Sequence, residues 1–144
     1  MISNYRQKGF TIVELLIVIV VIGILAAITI VAYNGIQQRG RDANRNSDMK
    51  AFTTAIELYK ADIGNYPPCG SDNGGCNAVN LATPLASYMK TIPLDPLNPT
   101  RTYSYVRGTV AQDSYGLLAQ YESKPTCKIG VNITMSWWAS APIC

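Results

Sequence analysis

Glu14 is the one charged side chain in FTIVELLIVIVVIGILAAITIVAY, the run from Phe10 to Tyr33. A carboxylate at the centre of a bilayer costs roughly 2.5–3.5 kcal/mol; nearer the end of an apolar span it costs less but still calls for a partner. The chemistry open to Glu14 is ion pairing with an amine. The second reactive set is four cysteines, Cys69, Cys76, Cys127 and Cys144. None forms a C-x-x-C pair, which argues against zinc ligation and thioredoxin-like exchange. An even number downstream of a membrane segment points to disulfides in an oxidising compartment; the alternative is four buried thiols. Four cysteines allow three connectivities, and sequence does not choose between them. Local spacing favours Cys69–Cys76, across the Gly-rich CGSDNGGC, and Cys127–Cys144. Histidine is absent, which removes the commonest acid–base group and metal ligand. The nine acids are scattered and form no constellation of acid, base and nucleophile, so no catalysis is expected.

The element that must carry Glu14 is a helix. The 24 residues from Phe10 to Tyr33 would span about 36 Å, enough to cross a bilayer. The run is too long for the apolar stretch of a cleaved secretory signal. Arg6 and Lys8 precede it, which places the N-terminus in the cytoplasm and the rest of the chain outside. The 144 residues carry a net charge of +3, and from Phe10 onward the balance is 10 basic to 9 acidic. That balance gives little support to a nucleic-acid surface.

KGFTIVELLIVIVVIGILAAI, from Lys8 to Ile28, resembles the N-terminus of a type IV prepilin, the signal shared with type II secretion pseudopilins. The matching features are Gly9, Phe10, Thr11, Glu14, the aliphatic run, Gly23, Leu25–Ile28 and Tyr33. The resemblance implies a leader at residues 1–9, cut between Gly9 and Phe10 by a membrane prepilin peptidase that methylates the new Phe10 amine. That amine has a reference pKa of about 7.7–8.0 and stays cationic. When subunits stack, it can pair with Glu14 of a neighbour. Such a buried pair adds little net stability, but misalignment strands a charge, so it sets register. Many relatives have proline where this chain has Val31; Gly23 remains, but Val31 cannot break a helix.

The resemblance further implies a structural subunit of a type IV pilus filament. It would be a single-pass inner-membrane precursor first and extracellular pilus once assembled, a homo-oligomer built with an assembly platform and ATPases. Surface adhesion, twitching motility or DNA uptake would be its uses. A pseudopilin of a secretion or competence system is the alternative. No cofactor is implied. Asp72, Asp95 and Asn98 fall in head loops, where the major pseudopilin of that family binds calcium. The acids are sparse and lack EF-hand spacing, and turn chemistry accounts for Asp-Pro and Asn-Pro, so no metal site is expected.

Past Tyr33 a helical seam persists: Met49, Phe52, Ile56, Tyr59 and Ile63 recur at spacings of three and four. The spacing predicts an amphipathic half-helix over 34–62, with Gly35 or Gly40 as points of bending. The whole helix would be about 53 residues, roughly 80 Å. Gly64 and Pro67–Pro68 end it. Arg39, Arg41 and Arg45 against Asp42 read as a solvated or subunit-facing surface, with a DNA or phospholipid patch as the lesser alternative. The remaining residues, 63–144, predict a globular head: a loop region, a short helix over Leu81–Lys90, and three strands in TYSYV, SYGLLAQYE and IGVNITMSWW. The fold class is therefore α+β, a long N-terminal helix packed on a small antiparallel sheet. Asn132-Ile133-Thr134 matches a glycosylation sequon by spacing, but chance occurrence in a strand is the better account. A Cys127–Cys144 bridge would close a loop worth about 3 kcal/mol. Trp137 or Trp138, exposed on that loop, would touch a host or other surface.

Overall fold

Thr11 starts the first element. Its side chain accepts from the Glu14 N–H while Glu14 reaches back to the Thr11 N–H, a capping box that fixes where the helix begins. Helix α1 then runs Ile12–Ile63 with no break in its backbone at Gly23, Val31, Gly35 or Gly40. The computed structural model describes residues 9–70, 73–108, 113–133, 136–138 and 140–144, and the backbone but not the side chain of Val31. Arg6, Lys8, Asp72 and Thr134 lie outside the described residues.

The chain divides between Gln37 and Gln38 into two units. The first is the apolar part of α1. Its large hydrophobic side chains are exposed throughout, with Phe10 at 89%. This part of α1 is long and apolar enough to cross a membrane. Thr29 donates its hydroxyl to the carbonyls of Leu25 and Ala26 at 3.0 Å, so its one polar group is satisfied inside the helix.

The second unit is the head. From Gln38 the helix lays a stripe of Met49, Phe52, Ala55 and Ile56 into the core, with Tyr59 half-buried beside it. Ile63, expected on the same stripe, is 57% exposed. It is the last helical residue, and Gly64 follows in the left-handed region with φ +89°. The Gly64 N–H closes onto the Lys60 carbonyl at 2.8 Å, the usual glycine stop.

Four strands form one antiparallel meander, β1 (Cys76–Asn77), β2 (Ser104–Arg107), β3 (Tyr115–Ala119) and β4 (Cys127–Val131), in that spatial order. The sequence predicts three. The fourth, β1, has only two residues and carries no alternation to read. It forms because the loop closed by Cys69 and Cys76 brings Cys76 opposite Tyr105. The expected helix over Leu81–Lys90 is also different. A 3₁₀ helix occupies Ala78–Ala82, capped by the Asn77 side chain, which accepts from Val79 N–H at 3.1 Å. Isolated turns follow it. Pro84 lacks the N–H that an α-helix would need there. The final strand begins and ends earlier than expected, at Val131, because Asn132 turns the chain with φ +48°.

Tyr105, Tyr115, Leu117 and Ala119 face the helix stripe in the core, beside Tyr103. The opposite face of the sheet is covered too. Every residue of β3 is buried, and a Cβ placed on Gly116 would lie 3.1 Å from the Trp138 ring and 3.4 Å from Trp137. The C-terminal segment therefore lies across the back of the sheet, and Gly116 leaves the space its indoles fill. Trp137 is 6% exposed and Trp138 half-buried, so of the two indoles expected on this loop Trp137 is in the core and Trp138 is the more exposed. Gly130, opposite Gly116, has φ +158°, and a Cβ there would fall 2.1 Å from the Tyr115 carbonyl oxygen.

Candidate assembly site

Gly9 and Phe10 stand exposed just ahead of α1. Glu14, one turn in, has its Oε2 hydrogen-bonded by the Thr11 N–H at 2.8 Å and the Thr11 hydroxyl at 2.7 Å. Both contacts fall on the same oxygen. The acid thus caps its own helix, at the end where the helix dipole favours a negative charge. The T-x-x-E spacing that announces this cap is plain in the sequence, yet the sequence reading gave Glu14 an intermolecular partner and not this cap. The arrangement holds the carboxylate in place on an apolar stretch of helix.

A second polar site ties the helix to the head. The stripe of buried residues extends back to Arg45 and Asp42, at the same spacings of three and four. Arg45, expected on a charged surface, is fully buried. Its guanidinium donates to both oxygens of Asp95 at 2.7 and 2.9 Å, to Asp42 at 2.7 Å and to Glu122 at 2.7 Å. Arg41 makes a two-pronged contact with Glu122 at 2.8 and 2.6 Å. Asp42 also accepts from the backbone N–H groups of Glu122 and Ser123 and from the Ser123 hydroxyl. Burial alone would raise the Asp42 pKa, but the Ser123, Glu122 and Arg45 hydrogen bonds outweigh it and hold the carboxyl well below its usual range. Arg41, and then Arg45, pull Glu122 down to about 2. Tyr121 and Lys124 both hydrogen-bond Asn46, and Tyr103 donates to Asp48 at 2.6 Å. Fixed two-pronged pairs of this kind are geometrically specific as well as strong. Arg45, with no side-chain surface exposed, is not presented to DNA or phospholipid.

The family model for the prokaryotic N-terminal methylation motif matches residues 4–30. Over 102 residues the chain is 30% identical to type II secretion system core protein G of Pectobacterium carotovorum, covering 65% of this chain and 64% of that protein. Over 99 residues it is 32% identical to core protein G of Aeromonas hydrophila, covering 63% of this chain and 68% of that protein. The chain belongs to the type IV pilin-like family. Over 71 residues this pilin-like chain is also 35% identical to the type IV major pilin protein PilA of Myxococcus xanthus, covering 49% of this chain and 32% of that protein. No solved structure matches it.

In this pilin-like head Cys69 is bonded to Cys76 and Cys127 to Cys144, with Cα separations of 6.0 and 5.1 Å. The second bridge pins a C-terminal segment that also pairs Cys144 N–H with the Lys128 carbonyl and Lys128 N–H with Pro142. Asp95 opens its turn by accepting from Leu97 N–H, and both its oxygens face Arg45, so it is a turn residue and an ion-pair partner. Among the described residues no group of three His, Cys, Asp or Glu side chains is arranged to hold a metal ion.

Proposed function

We propose that the chain is a structural subunit that polymerises through α1 into a helical filament after cleavage between Gly9 and Phe10 and N-methylation of Phe10. What supports this most directly is the run of exposed apolar side chains from Phe10 to Ile36, interrupted by one acid already held in position at its helix cap. Apolar surface of this extent must be covered by lipid or by copies of itself. Before assembly it serves as a membrane anchor. In the filament, a head-to-tail contact that does not close propagates as an open helix. Thr11 uses Oε2 of Glu14, and the methylated amine of an incoming Phe10 pairs through Oε1. The prepilin peptidase and an assembly platform driven by ATPases act on the chain, which itself catalyses no reaction.

The similarity to core protein G favours a secretion-type pseudopilus at least as strongly as a long surface pilus, and adhesion, twitching motility or DNA uptake would belong to the second reading. Electron microscopy of producing cells separates them: long surface fibres mean a pilus, and fibres that appear only on overproduction mean a pseudopilus. Mass spectrometry of assembled material is expected to find N-methyl-Phe10 as the first residue. Filaments that retain Gly9 would overturn the maturation step.

A further inference from the structure

The cover on the edge of β2 is held in three places. Ahead of it Tyr66 and Pro67 are buried. The Pro67 carbonyl accepts from the Tyr105 hydroxyl at 2.9 Å, and the Tyr66 carbonyl from the Arg107 guanidinium at 3.1 Å. Behind it the 3₁₀ helix buries Ala78 and Leu81. Between these anchors lies β1, which pairs Cys76 with Tyr105 and Asn77 with Ser104. Asn73 extends the contact, its N–H donating to the Arg107 carbonyl at 2.8 Å. β1 is two residues long, Cys76 half-buried and Asn77 exposed. It hides little apolar surface and is far shorter than the usual five or six residues. The Cys69–Cys76 bond ties it to Cys69, which is 7% exposed and part of the core. Burial and hydrogen bonds fix the two anchors, whereas the stretch between them leans on that bond.

We propose that Cys69–Cys76 is a redox-operated latch, whose reduction by a dithiol releases residues 73–77 from the β2 edge while both anchors and the β2–β3–β4 ladder stay in place. A thiolate of the reductant attacks the sulfur of Cys76, the less buried of the two, and Cys69 leaves as a thiolate. The second thiol of the reductant then attacks the mixed disulfide and frees Cys76. The cysteine pair gains two electrons and two protons, and the dithiol becomes a disulfide. The opening stays local because β2 does not rely on β1 for its packing. Tyr105 is buried against the helix stripe and Val106 on the opposite face of the sheet, and β3 pairs along the other edge of β2. A segment with few buried contacts opens at far less cost than the whole head. The edge is thus closed in an oxidising compartment and open in a reducing one, where its backbone becomes a template for further strand pairing.

Amide exchange of the full chain in micelles, followed by NMR, tests the latch before reduction, after dithiothreitol and after reoxidation. Mass spectrometry confirms the thiol state at each stage. Bonded pairs alternate along an antiparallel ladder, and the Ala78 N–H already bonds the Tyr103 carbonyl, so the Tyr105 N–H reports on the seam with β1 and the Asn73 N–H on its extension. Both are expected to exchange at least about tenfold faster after reduction, as for a segment that opens by itself. Leu117 and Ile129, paired between β3 and β4, keep their rates, and reoxidation restores Asn73 and Tyr105. Cys69→Ser with Cys76→Ser reproduces the open state without reductant, which separates this bond from Cys127–Cys144. Unchanged exchange at Asn73 and Tyr105 in the fully reduced chain overturns the proposal. So does a Ser/Ser variant that stays protected there. Loss of protection at Leu117 and Ile129 in the same step also overturns it, because the bond is then a staple for the whole head.

Discussion

Glu14 and Arg45 belong to the same helix and meet opposite surroundings. Arg45 is enclosed by Asp42, Asp95 and Glu122, and the second and third of those partners come from loops far along the chain. Among the described residues Glu14 has only Thr11, three residues away, and the side chains around it are exposed and apolar. The head therefore compensates its charges within one molecule, whereas the apolar part of α1 leaves that compensation to a membrane or to other subunits. An arginine matched by its own fold is one whose removal strands buried carboxylates within the monomer. An acid matched, among the described residues, only by its own cap is the one proposed to act between monomers.

The contrast is broken most severely at Glu14. Glu14→Ala is expected to reduce filament yield at least about tenfold, a loss of 1.4 kcal/mol or more in assembly, while the protein stays in the membrane and its head unfolds as before. Pelleting of sheared filaments, with denaturation of the same protein in micelles, measures both. Normal filaments from this variant would show that Glu14 has no docking role. The opposite pattern is expected for Arg45→Ala. Removing one partner of a buried ionic group costs about 3–5 kcal/mol, so the head unfolds at much lower denaturant. Gly130→Ala, which drives a methyl into the Tyr115 carbonyl, destabilises the head by about 3 kcal/mol by the same assay, towards the upper end for single substitutions. Thr11→Ala, at the cap, costs about 1 kcal/mol of helix stability. It is read as faster amide exchange in the first turn of α1 with no change in the head.

Acid sharpens the same distinction. Glu122 has its pKa lowered from 4.5 to about 2 in the folded head. A depressed carboxylate stabilises the fold fully above its unfolded pKa and loses that contribution as pH falls through the folded value. The head is therefore expected to lose stability progressively between pH 4.5 and about 2, with Asp42 and Asp95, both also lowered, adding to the slope. Arg41→Gln removes the main cause of the Glu122 shift and flattens the curve. A slope unchanged by that substitution would mean that other carboxylates control acid unfolding.

Most of α1 was legible because its signals are local: an unbroken apolar run, a seam at spacings of three and four, and a glycine stop. The tyrosine alternation in β2 and β3 was legible for the same reason. Arg45 was not, because a cation on a helix looks solvated until Asp95 and Glu122 arrive from 50 and 77 residues away. Its place on the Met49–Phe52–Ile56 stripe was the available signal. Which of Trp137 and Trp138 is buried was not legible, because β3 alternates like a strand with one wet face, while the C-terminal segment buries both. In the candidate site, Gly9, Phe10 and Glu14 could be named from sequence, and the Thr11 cap was readable but passed over.

Along α1 from its N-terminal end, Asp42 is the first buried side chain among the described residues and Arg45 the next. Tension entering through the N-terminal end of this helix is thus borne by charged, two-pronged contacts before it reaches Met49 or Phe52. A pull on that end would load the loops at Asp95 and Glu122 through Arg45 ahead of the oily interior of the head.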